Sequence, residues 1–190
     1  MKIGILIIGT NGYFVLACRF INRFHNLYNG NYKIEFHFFC DKNPHGYLPE
    51  DVDYKYYYSS HESWQEAVNS KFSSINRIII EDNPDYLYFF DADTNIAGPF
   101  GDWFVGEHTV GKHFGYNEST PDEMAFDRNE LSSCYIPFGT NNVNYYYGAF
   151  WGGKTDLVKN YSKEIIKLQE KNKAINHEPV WNDESYTNYY

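Results

Sequence analysis

The chain has 190 residues, a formal net charge of −9 and an aromatic content of 20%. Its length fits a single domain that can bury its own hydrophobic core. The acidic balance argues against nucleic acid as the main partner, because binding phosphate backbones needs a basic surface, so no nucleic-acid partner is expected.

The amino terminus and the cysteines bear on the cellular compartment. The opening stretch MKIGILIIGTNG has a short apolar run and no small-residue cleavage site, which is typical of a first strand rather than a signal peptide. No apolar run approaches the length of a membrane span. Cys18, Cys40 and Cys134 lie far apart and outside any CxxC spacing, so they are predicted to be free thiols. These features predict a cytoplasmic protein with no integral membrane segment.

The first half of the chain alternates predicted strands and helices. Strands are predicted over 3–8, 33–39, 53–58 and 86–90, and helices over 14–28 and 62–80. The second helix is indicated by apolar side chains at spacings of 4, 3 and 4, at Val68, Phe72, Ile75 and Ile79. This order predicts an α/β domain with a mixed, mostly parallel sheet.

The second half is less regular. Strands are predicted over 110–116 and 144–150, with a polar, loop-rich segment over 117–133 between them. A helix in the segment 151–171 is indicated by Leu157, Tyr161, Ile165 and Leu168, and another helix is expected after Pro179. The whole chain is predicted to be one domain, with a nucleotide-binding half over 1–96 and an acceptor- and sugar-binding half over 97–190.

Two aspartates follow the strand predicted over 86–90, in the stretch YLYFFDADTNI. Asp91 and Asp93 are two positions apart, so in extended backbone their side chains point to the same face. Ligands of open α/β sheets bind beyond the carboxyl ends of the strands. Neighbouring carboxylates repel each other unless a positive group lies between them. Mg²⁺ or Mn²⁺ would be such a group, since these ions bind one or two carboxylates together with the phosphates of a substrate. The alternative is a loop in which both aspartates cap a turn or a helix.

The same stretch fits the first motif of the haloacid-dehalogenase-like phosphatases, hhhhDxDxT, with Asp91 as nucleophile. That interpretation needs a downstream Ser or Thr, a Lys and a second acidic pair, for which Lys154, Thr155 and Asp156 are poor substitutes. The motif also usually lies on the first strand of such enzymes, whereas about 90 residues precede it here. A Mg²⁺-dependent phosphatase is therefore the less favoured alternative.

A second signal lies near the end of the chain, where VWNDESYTN places Asp183 and Glu184 at a predicted helix start. Alone, such an acidic pair is typical of helix capping. Together with the segments SWQEAV, DYLYFFDADTNI, GKHFGY, SCYIPFG and NYYYGAFWGG, it makes the chain resemble glycosyltransferase family 6. These are the retaining α-1,3-galactosyl- and N-acetylgalactosaminyltransferases that include the histo-blood-group A and B enzymes. The resemblance implies a Rossmann-like nucleotide-sugar transferase fold of the GT-A type.

The resemblance also implies roles for particular residues. Asp91 and Asp93 would hold Mn²⁺, or Mg²⁺, against the diphosphate of UDP, and Glu184 is the candidate nucleophile. The residues expected to bind the substrates are Tyr13, Lys71, Ala92, His113, Tyr147, Gly148, Ala149, Trp181 and Asp183.

Within this set, four residues match positions with distinct contacts. Tyr13 matches an aromatic near the uracil, and His113 matches a histidine that contacts the acceptor sugar, although an ordinary loop histidine is the alternative there. Trp181 matches an aromatic of the sugar pocket, and Asp183 matches a carboxylate that holds the donor-sugar hydroxyls.

The implied reaction moves galactose or N-acetylgalactosamine from a UDP-sugar, in α-1,3 linkage, to a galactose-terminated glycan. Tyr147 and Ala149 fall on the two positions that distinguish these donors, and the Ala149 methyl group favours galactose. A metal would stabilise the departing UDP. A carboxylate at Glu184 would stabilise or attack the positively charged sugar ring, as in retaining glycosidases. The sequence leaves both routes, double displacement and a same-face ion pair, open.

The chain also departs from the family pattern. Lys71 stands where the family has an arginine, which keeps the charge and loses the bidentate fork. Asn182 stands where the family has a histidine. The sequence stops at Tyr190, whereas family members continue with a segment that covers the donor. The alternative expectation is therefore a domain that binds UDP or a glycan without turnover.

Overall fold

The computed structural model describes residues 1–190. Its strands and helices follow in the order strand, helix, strand, strand, helix, helix, strand, strand, strand, helix, helix. They are β1 (Lys2–Ile8), α1 (Tyr13–Leu27), β2 (Lys33–Cys40), β3 (Tyr54–Tyr58), α2 (Trp64–Asn69), α3 (Lys71–Glu81), β4 (Tyr86–Phe90), β5 (His108–Lys112), β6 (Tyr146–Lys154), α4 (Thr155–Ala174) and α5 (Asp183–Tyr189).

One six-stranded sheet runs through the molecule in the order β3-β2-β1-β4-β6-β5. The four strands of the first half pair in parallel, and β6 pairs antiparallel with both β4 and β5. The predicted α/β fold with a mixed, mostly parallel sheet is therefore confirmed. Strands from both halves of the chain lie side by side at the β4–β6 junction.

The two faces of the sheet carry separate hydrophobic clusters because successive strand residues point to opposite sides. Ile3, Ile5 and Ile7 of β1 pack with α1 on one face. Leu6 of the same strand packs on the other face with residues of α3 and α4. The run IGILII is therefore buried on both sides, as its unbroken apolar character predicted.

The predicted helix over 62–80 is wrong in one respect, because it is two helices that meet at Ser70. The hydroxyl of Ser70 donates to the carbonyl of Ala67 at 2.8 Å, which is the kind of local bond by which serine competes with helix hydrogen bonding. The four apolar positions are nevertheless buried as expected. The break places Lys71 at the first position of α3.

Three predictions in the second half need correction. The strand expected over 110–116 ends at Lys112, and residues 114–116 form a 3₁₀ turn. The strand expected over 144–150 is β6, which continues to Lys154. Leu157 of α4 is exposed, whereas Val158 beside it is buried. The apolar stripe of this helix is thus shifted by one residue at its start.

Two smaller observations concern the cysteines and the helices. Cys18, Cys40 and Cys134 are all buried and free, as predicted. None of the helices combines the length and the apolar character needed to cross a membrane.

Candidate functional site

A cavity of about 560 Å³ opens at the carboxyl ends of β1 and β4. Ligands of open α/β sheets bind at this edge because loops and helix starts converge there. Its walls come from α2, α3, β6 and α5 as well as from the loops after β1 and β4. The lining residues are Ile8, Thr10, Tyr13, Trp64, Ala67, Val68, Lys71, Phe89, Asp91, Ala92, Asp93, Tyr147, Gly148, Ala149, Trp181, Asp183 and Glu184.

The paired aspartates lie directly after β4. Asp91 is half-buried and Asp93 is exposed, and both line the cavity. The backbone N–H of Asp91 donates to the carbonyl of Ala149 at 2.9 Å, which fixes the start of the loop to β6. The N–H of Thr94 donates to the carbonyl of Asp91 at 3.0 Å. The pair therefore projects from a hydrogen-bonded turn whose first residue is tied to β6.

Lys71 joins two of the cavity carboxylates. Its ammonium lies 2.5 Å from Asp183 Oδ2 and 3.3 Å from Asp91 Oδ1, and only 3% of the residue is exposed. The ammonium also lies 4.2 Å above the ring of Phe89, a favourable placement for a cation. Three segments far apart in the sequence thus meet at one buried positive charge.

Burial and charge act in opposite directions on these groups. Burial alone would lower the pKa of the Lys71 ammonium, but Asp183 and Asp91 raise it above its usual value. Burial raises the pKa of Asp183 to about 6 against the pull of Lys71. The pKa of Asp91 is also raised, chiefly by burial. The cavity holds four carboxylates, Asp91, Asp93, Asp183 and Glu184, against this one ammonium, so its walls favour a further cation.

Glu184 lies under the backbone of β6. Its Oε2 accepts the backbone N–H of Gly148 at 2.8 Å. A Cβ at Gly148 would lie 2.9 Å from Asp183 Oδ2 and 3.3 Å from Glu184 Cβ. A side chain at 148 would therefore crowd both acidic residues, and the glycine lets the strand approach them closely.

The turn before α5 sets where the acidic pair points. Asn182 has φ 46° and ψ −118°, a conformation that favours glycine and is strained for other residues. Asn182 is buried, and its Oδ1 has no hydrogen-bond partner. Strained backbone of this kind concentrates at functional sites, and here it aims Asp183 at Lys71 and Glu184 at Gly148.

The aromatic side chains of the site form its rim. Tyr13, Trp64 and Trp181 line the cavity and are 43%, 50% and 50% exposed, which leaves their faces open to a ligand. Tyr13 is the first residue of α1, and Trp181 immediately precedes the strained turn. Open aromatic faces suit the apolar faces of bases and sugar rings.

His113 is the one expected site residue that does not line the cavity. Its ring stacks on Tyr147, with centroids 4.0 Å apart and an angle of 28° between the planes. Tyr147 does line the cavity, so His113 backs its wall. The other expected residues, including Ala92, Gly148 and Ala149, all border the cavity, and the roles assigned to them stay predictions.

Several residues of the site were not singled out from the sequence. Trp64, Thr10, Ile8, Ala67 and Phe89 line the cavity, and no local pattern separates them from ordinary loop and core positions. The resemblance offered a signal for three of them, since Trp64 and Ala67 lie in the segment SWQEAV and Phe89 lies in DYLYFFDADTNI.

Tyr145 was also missed. It is 1% exposed, and burial together with the nearby carboxylate of Glu184 raises its pKa. Tyr145 directly precedes β6, and its backbone carbonyl accepts the N–H of His113 at 2.8 Å. No spacing rule links it to residue 184.

A second group of ligand-type side chains lies toward the amino ends of the strands. Glu35, His37 and Asp82 bring their ligand atoms within 4.8 Å of one another. However, the ammonium groups of Lys2 and Lys55 already contact both carboxylates. These lysines supply the positive charge that a metal would bring, so the cluster is a charge network.

The residues considered for a phosphatase lie at the wrong end of the sheet. Lys154 pairs with Tyr86 at the start of β4, whereas Asp91 follows the other end of that strand. Lys154 forms an ion pair with Glu107. The Lys–Thr–Asp stretch therefore cannot join Asp91 in one site.

Comparison with known proteins identifies the family to which the chain is similar. The sequence profile of glycosyltransferase family 6 matches residues 1–190. A globoside α-1,3-N-acetylgalactosaminyltransferase 1 from Gallus gallus is 25% identical over 99% of the chain and 57% of the relative. A histo-blood group ABO system transferase 2 from Rattus norvegicus is 30% identical over 56% of the chain and 31% of the relative.

A bacterial protein is similar as well. The O-antigen biosynthesis glycosyltransferase WbnI of Escherichia coli is 28% identical over 55% of the chain and 45% of its own length. The chain thus spans little more than half the length of two globoside α-1,3-N-acetylgalactosaminyltransferases whose alignments cover 99% of it. Because the family profile covers every residue described, the chain belongs to glycosyltransferase family 6.

Proposed function

We propose that this chain transfers galactose or N-acetylgalactosamine from a UDP-sugar, with retention, to a galactose-terminated glycan in α-1,3 linkage. The observation that carries the proposal is the convergence of Asp91, Asp93, Asp183, Glu184 and Lys71 on one cavity at the carboxyl edge of the sheet. Membership of a glycosyltransferase family and the GT-A-like α/β fold support it. The names of the relatives describe α-1,3-N-acetylgalactosaminyltransfer and blood-group transfer, which supports the donor class and linkage.

The donor side of the cavity fits a nucleotide diphosphate. Asp91 and Asp93 provide the hard oxygen ligands that Mn²⁺ or Mg²⁺ takes together with phosphates. When bound, such a cation acts as a Lewis acid on the leaving diphosphate. Tyr13, at the opening, offers its exposed ring to the uracil. Ala92 lies between the two aspartates and is 5% exposed, so its methyl group shapes the floor beneath the diphosphate.

The sugar side fits a hexose ring. The Asp183 carboxylate is held by Lys71 and can accept hydrogen bonds from sugar hydroxyls. Glu184, tethered at Oε2 by Gly148, presents a carboxylate to the anomeric carbon and stabilises or attacks the cationic ring. Ala149 leaves less room than glycine would for an acetamido group, which favours galactose. Trp181 and His113 form the acceptor side, whereas Tyr147, on which His113 stacks, lies with Ala149 at the positions that distinguish the donors.

The test is donor hydrolysis by the parent chain and by Asp91→Asn and Glu184→Gln variants. UDP-galactose and UDP-N-acetylgalactosamine are each incubated with and without Mn²⁺, and released sugar is measured, followed by transfer to a galactose-terminated acceptor. We expect each variant to lose about 100-fold or more, because each removes a group that stabilises transition-state charge. Glu170→Gln, an exposed carboxylate on α4 outside the cavity, is the matched control and should resemble the parent.

Other outcomes separate the alternatives. Equal hydrolysis by the parent and both variants would show that the site is wrongly placed. UDP binding by calorimetry with no sugar released over long incubation would indicate a domain that binds without turnover. Phosphate release from aryl phosphates with Mg²⁺ would support the phosphatase, which the separation of Lys154 from Asp91 argues against.

A further inference from the structure

Strand β6 begins with an open side. It starts at Tyr146 but pairs with β4 only from Phe150 onward, with one further bond from the N–H of Asp91 to the carbonyl of Ala149. On its other side, the register with β5 shifts between Val110 and Lys112. Backbone groups without a strand partner must find other partners or stay hydrated.

Helix α5 supplies those partners through two side chains. The N–H of Gly148 donates to Glu184 Oε2 at 2.8 Å. The N–H of Tyr146 donates to Asn188 Oδ1 at 2.7 Å, and Asn188 Nδ2 donates to the carbonyl of Tyr146 at 2.9 Å. Residues two apart in a strand and four apart in a helix each share a face, so α5 takes the place of the absent strand.

Asn188 also ties the helix turn that carries Glu184. Its Nδ2 donates to the backbone carbonyl of Glu184 at 2.9 Å, so one amide group links that turn to Tyr146. Asn188 is only partly buried and does not line the cavity. We propose that Asn188 is a positioning residue, which sets α5 against β6 so that the Glu184 carboxylate lies under Gly148. The inference rests on the proposed function only for the activity that it predicts.

Replacing Asn188 by alanine removes all three of its hydrogen bonds, two of which go to the Tyr146 backbone. Asn188→Asp keeps an acceptor for the Tyr146 N–H but places a carboxylate oxygen against two carbonyls. We expect either change to let α5 shift along β6 and the Glu184 carboxylate to move with it. A misplacement of about 1 Å can cost about 100-fold in rate.

The first measurement is steady-state donor hydrolysis with Mn²⁺. For Asn188→Ala we expect kcat to fall about 10- to 100-fold with KM for the UDP-sugar nearly unchanged, since Asn188 does not itself line the cavity. When Asn188→Ala is added to Glu184→Gln, kcat should fall little further, because both substitutions act through the Glu184 carboxylate. Tyr189→Phe is the matched control, since Tyr189 is exposed, makes no side-chain hydrogen bond and should keep the parent's kcat.

The second measurement is amide hydrogen exchange, which needs no activity. Asn188 does not touch Gly148, so faster exchange of the Gly148 N–H in Asn188→Ala and Asn188→Asp would show that its effect passes through Glu184. Amides of β1 should keep the parent's protection, and Tyr189→Phe should match the parent throughout.

Three results would overturn the proposal: parental kcat in Asn188→Ala, losses that simply add to those of Glu184→Gln, or unchanged Gly148 exchange. Loss of β1 protection would also count against it, because Asn188 would then support the fold as a whole. If Glu184→Gln keeps full activity, the proposed function fails instead, and the Gly148 exchange still decides the role of Asn188.

Discussion

At the scale of single residues, Lys71 connects the two halves of the candidate site. Its ammonium contacts Asp91 from the loop after β4 and Asp183 from the start of α5. Lys71 stands where the family has an arginine, so the positive charge at this position comes from a buried lysine ammonium. Lys71 and Asp183 are both buried, so the charge of each is stabilised chiefly by the other and by the half-buried Asp91.

We expect Lys71→Met to lower the free energy of unfolding by about 3–5 kcal/mol, the usual cost of leaving a buried charge without its partner. Urea unfolding followed by circular dichroism measures it. Adding Asp183→Asn to Lys71→Met should recover part of the loss, since the unpaired carboxylate is then gone. Lys33→Met, which breaks an exposed ion pair with Asp53, is the control and should change stability little. A double variant no more stable than Lys71→Met would contradict the pairing.

At the scale of elements, close approach of β4 and β6 brings the Asp91 loop and the wall at 147–149 together. The register Tyr88↔Gly152 lies at the centre of this pairing. A Cβ at Gly152 would lie 2.4 Å from the carbonyl oxygen of Leu87 and 2.6 Å from Tyr88 Cα. Both are backbone atoms, which cannot move away by a change of rotamer as a side chain can.

Gly152→Ala should therefore destabilise the protein by about 1–3 kcal/mol or more, since the strands must separate to admit the methyl group. The free energy of unfolding in urea measures this. Gly111→Ala in β5 is the matched control, because its Cβ would meet nothing closer than 3.6 Å. Equal stability of the two variants would show that β4 and β6 can separate without cost.

At the scale of the whole molecule, charge is divided between the two edges of the sheet. The carboxyl edge holds the acidic cavity, whereas Lys2, Glu35, Lys55 and Asp82 form a network toward the amino edge. His37 points its Nε2 into this network, 3.4 Å from Glu35 and 3.5 Å from Asp82, and is 0% exposed. Its Nδ1 lies 3.1 Å from the hydroxyl of Tyr57.

Burial lowers the pKa of His37 to about 4, so in the folded protein this side chain stays neutral well below the pKa of about 6.5 expected in the unfolded chain. Between these values the unfolded chain binds more protons, so stability from this group falls as pH drops from about 6.5 to about 4. The full loss is about 3 kcal/mol.

We expect the unfolding free energy of His37→Asn to depend less steeply on pH than that of the parent between about 6.5 and about 4. Above a pH of about 7 the two slopes should be the same. His45→Asn, an exposed histidine, should keep the parent's slope. Urea unfolding at a series of pH values provides the comparison. The same slope in the parent and in His37→Asn would contradict a buried, neutral His37.

Short-range pattern was enough for most elements of the first half. Burial on both faces gives β1 its unbroken apolar run, and the spacing of Phe72, Ile75 and Ile79 matches the buried face of α3. The failures occur where side chains overrule periodicity, as at Ser70, where a hydroxyl bonds back to the helix. The strand predicted over 110–116 fails in the same way, because the N–H of Gly115 donates to the ring of His113 at 3.1 Å in the 3₁₀ turn over 114–116.

By itself, the sequence determined the alternation of strands and helices, the placement of Asp91 and Asp93 after a buried strand, and the resemblance that family membership bears out. The first two features depend on neighbours within a few residues, and the resemblance rests on short motifs that are each local. Only the tertiary structure decided that Lys71 would bridge Asp91 and Asp183, that Glu184 would bond Gly148, and that Asn188 would complete the open side of β6. Each joins residues 20 or more positions apart, and such contacts form because the sheet order and two packed cores bring the elements together.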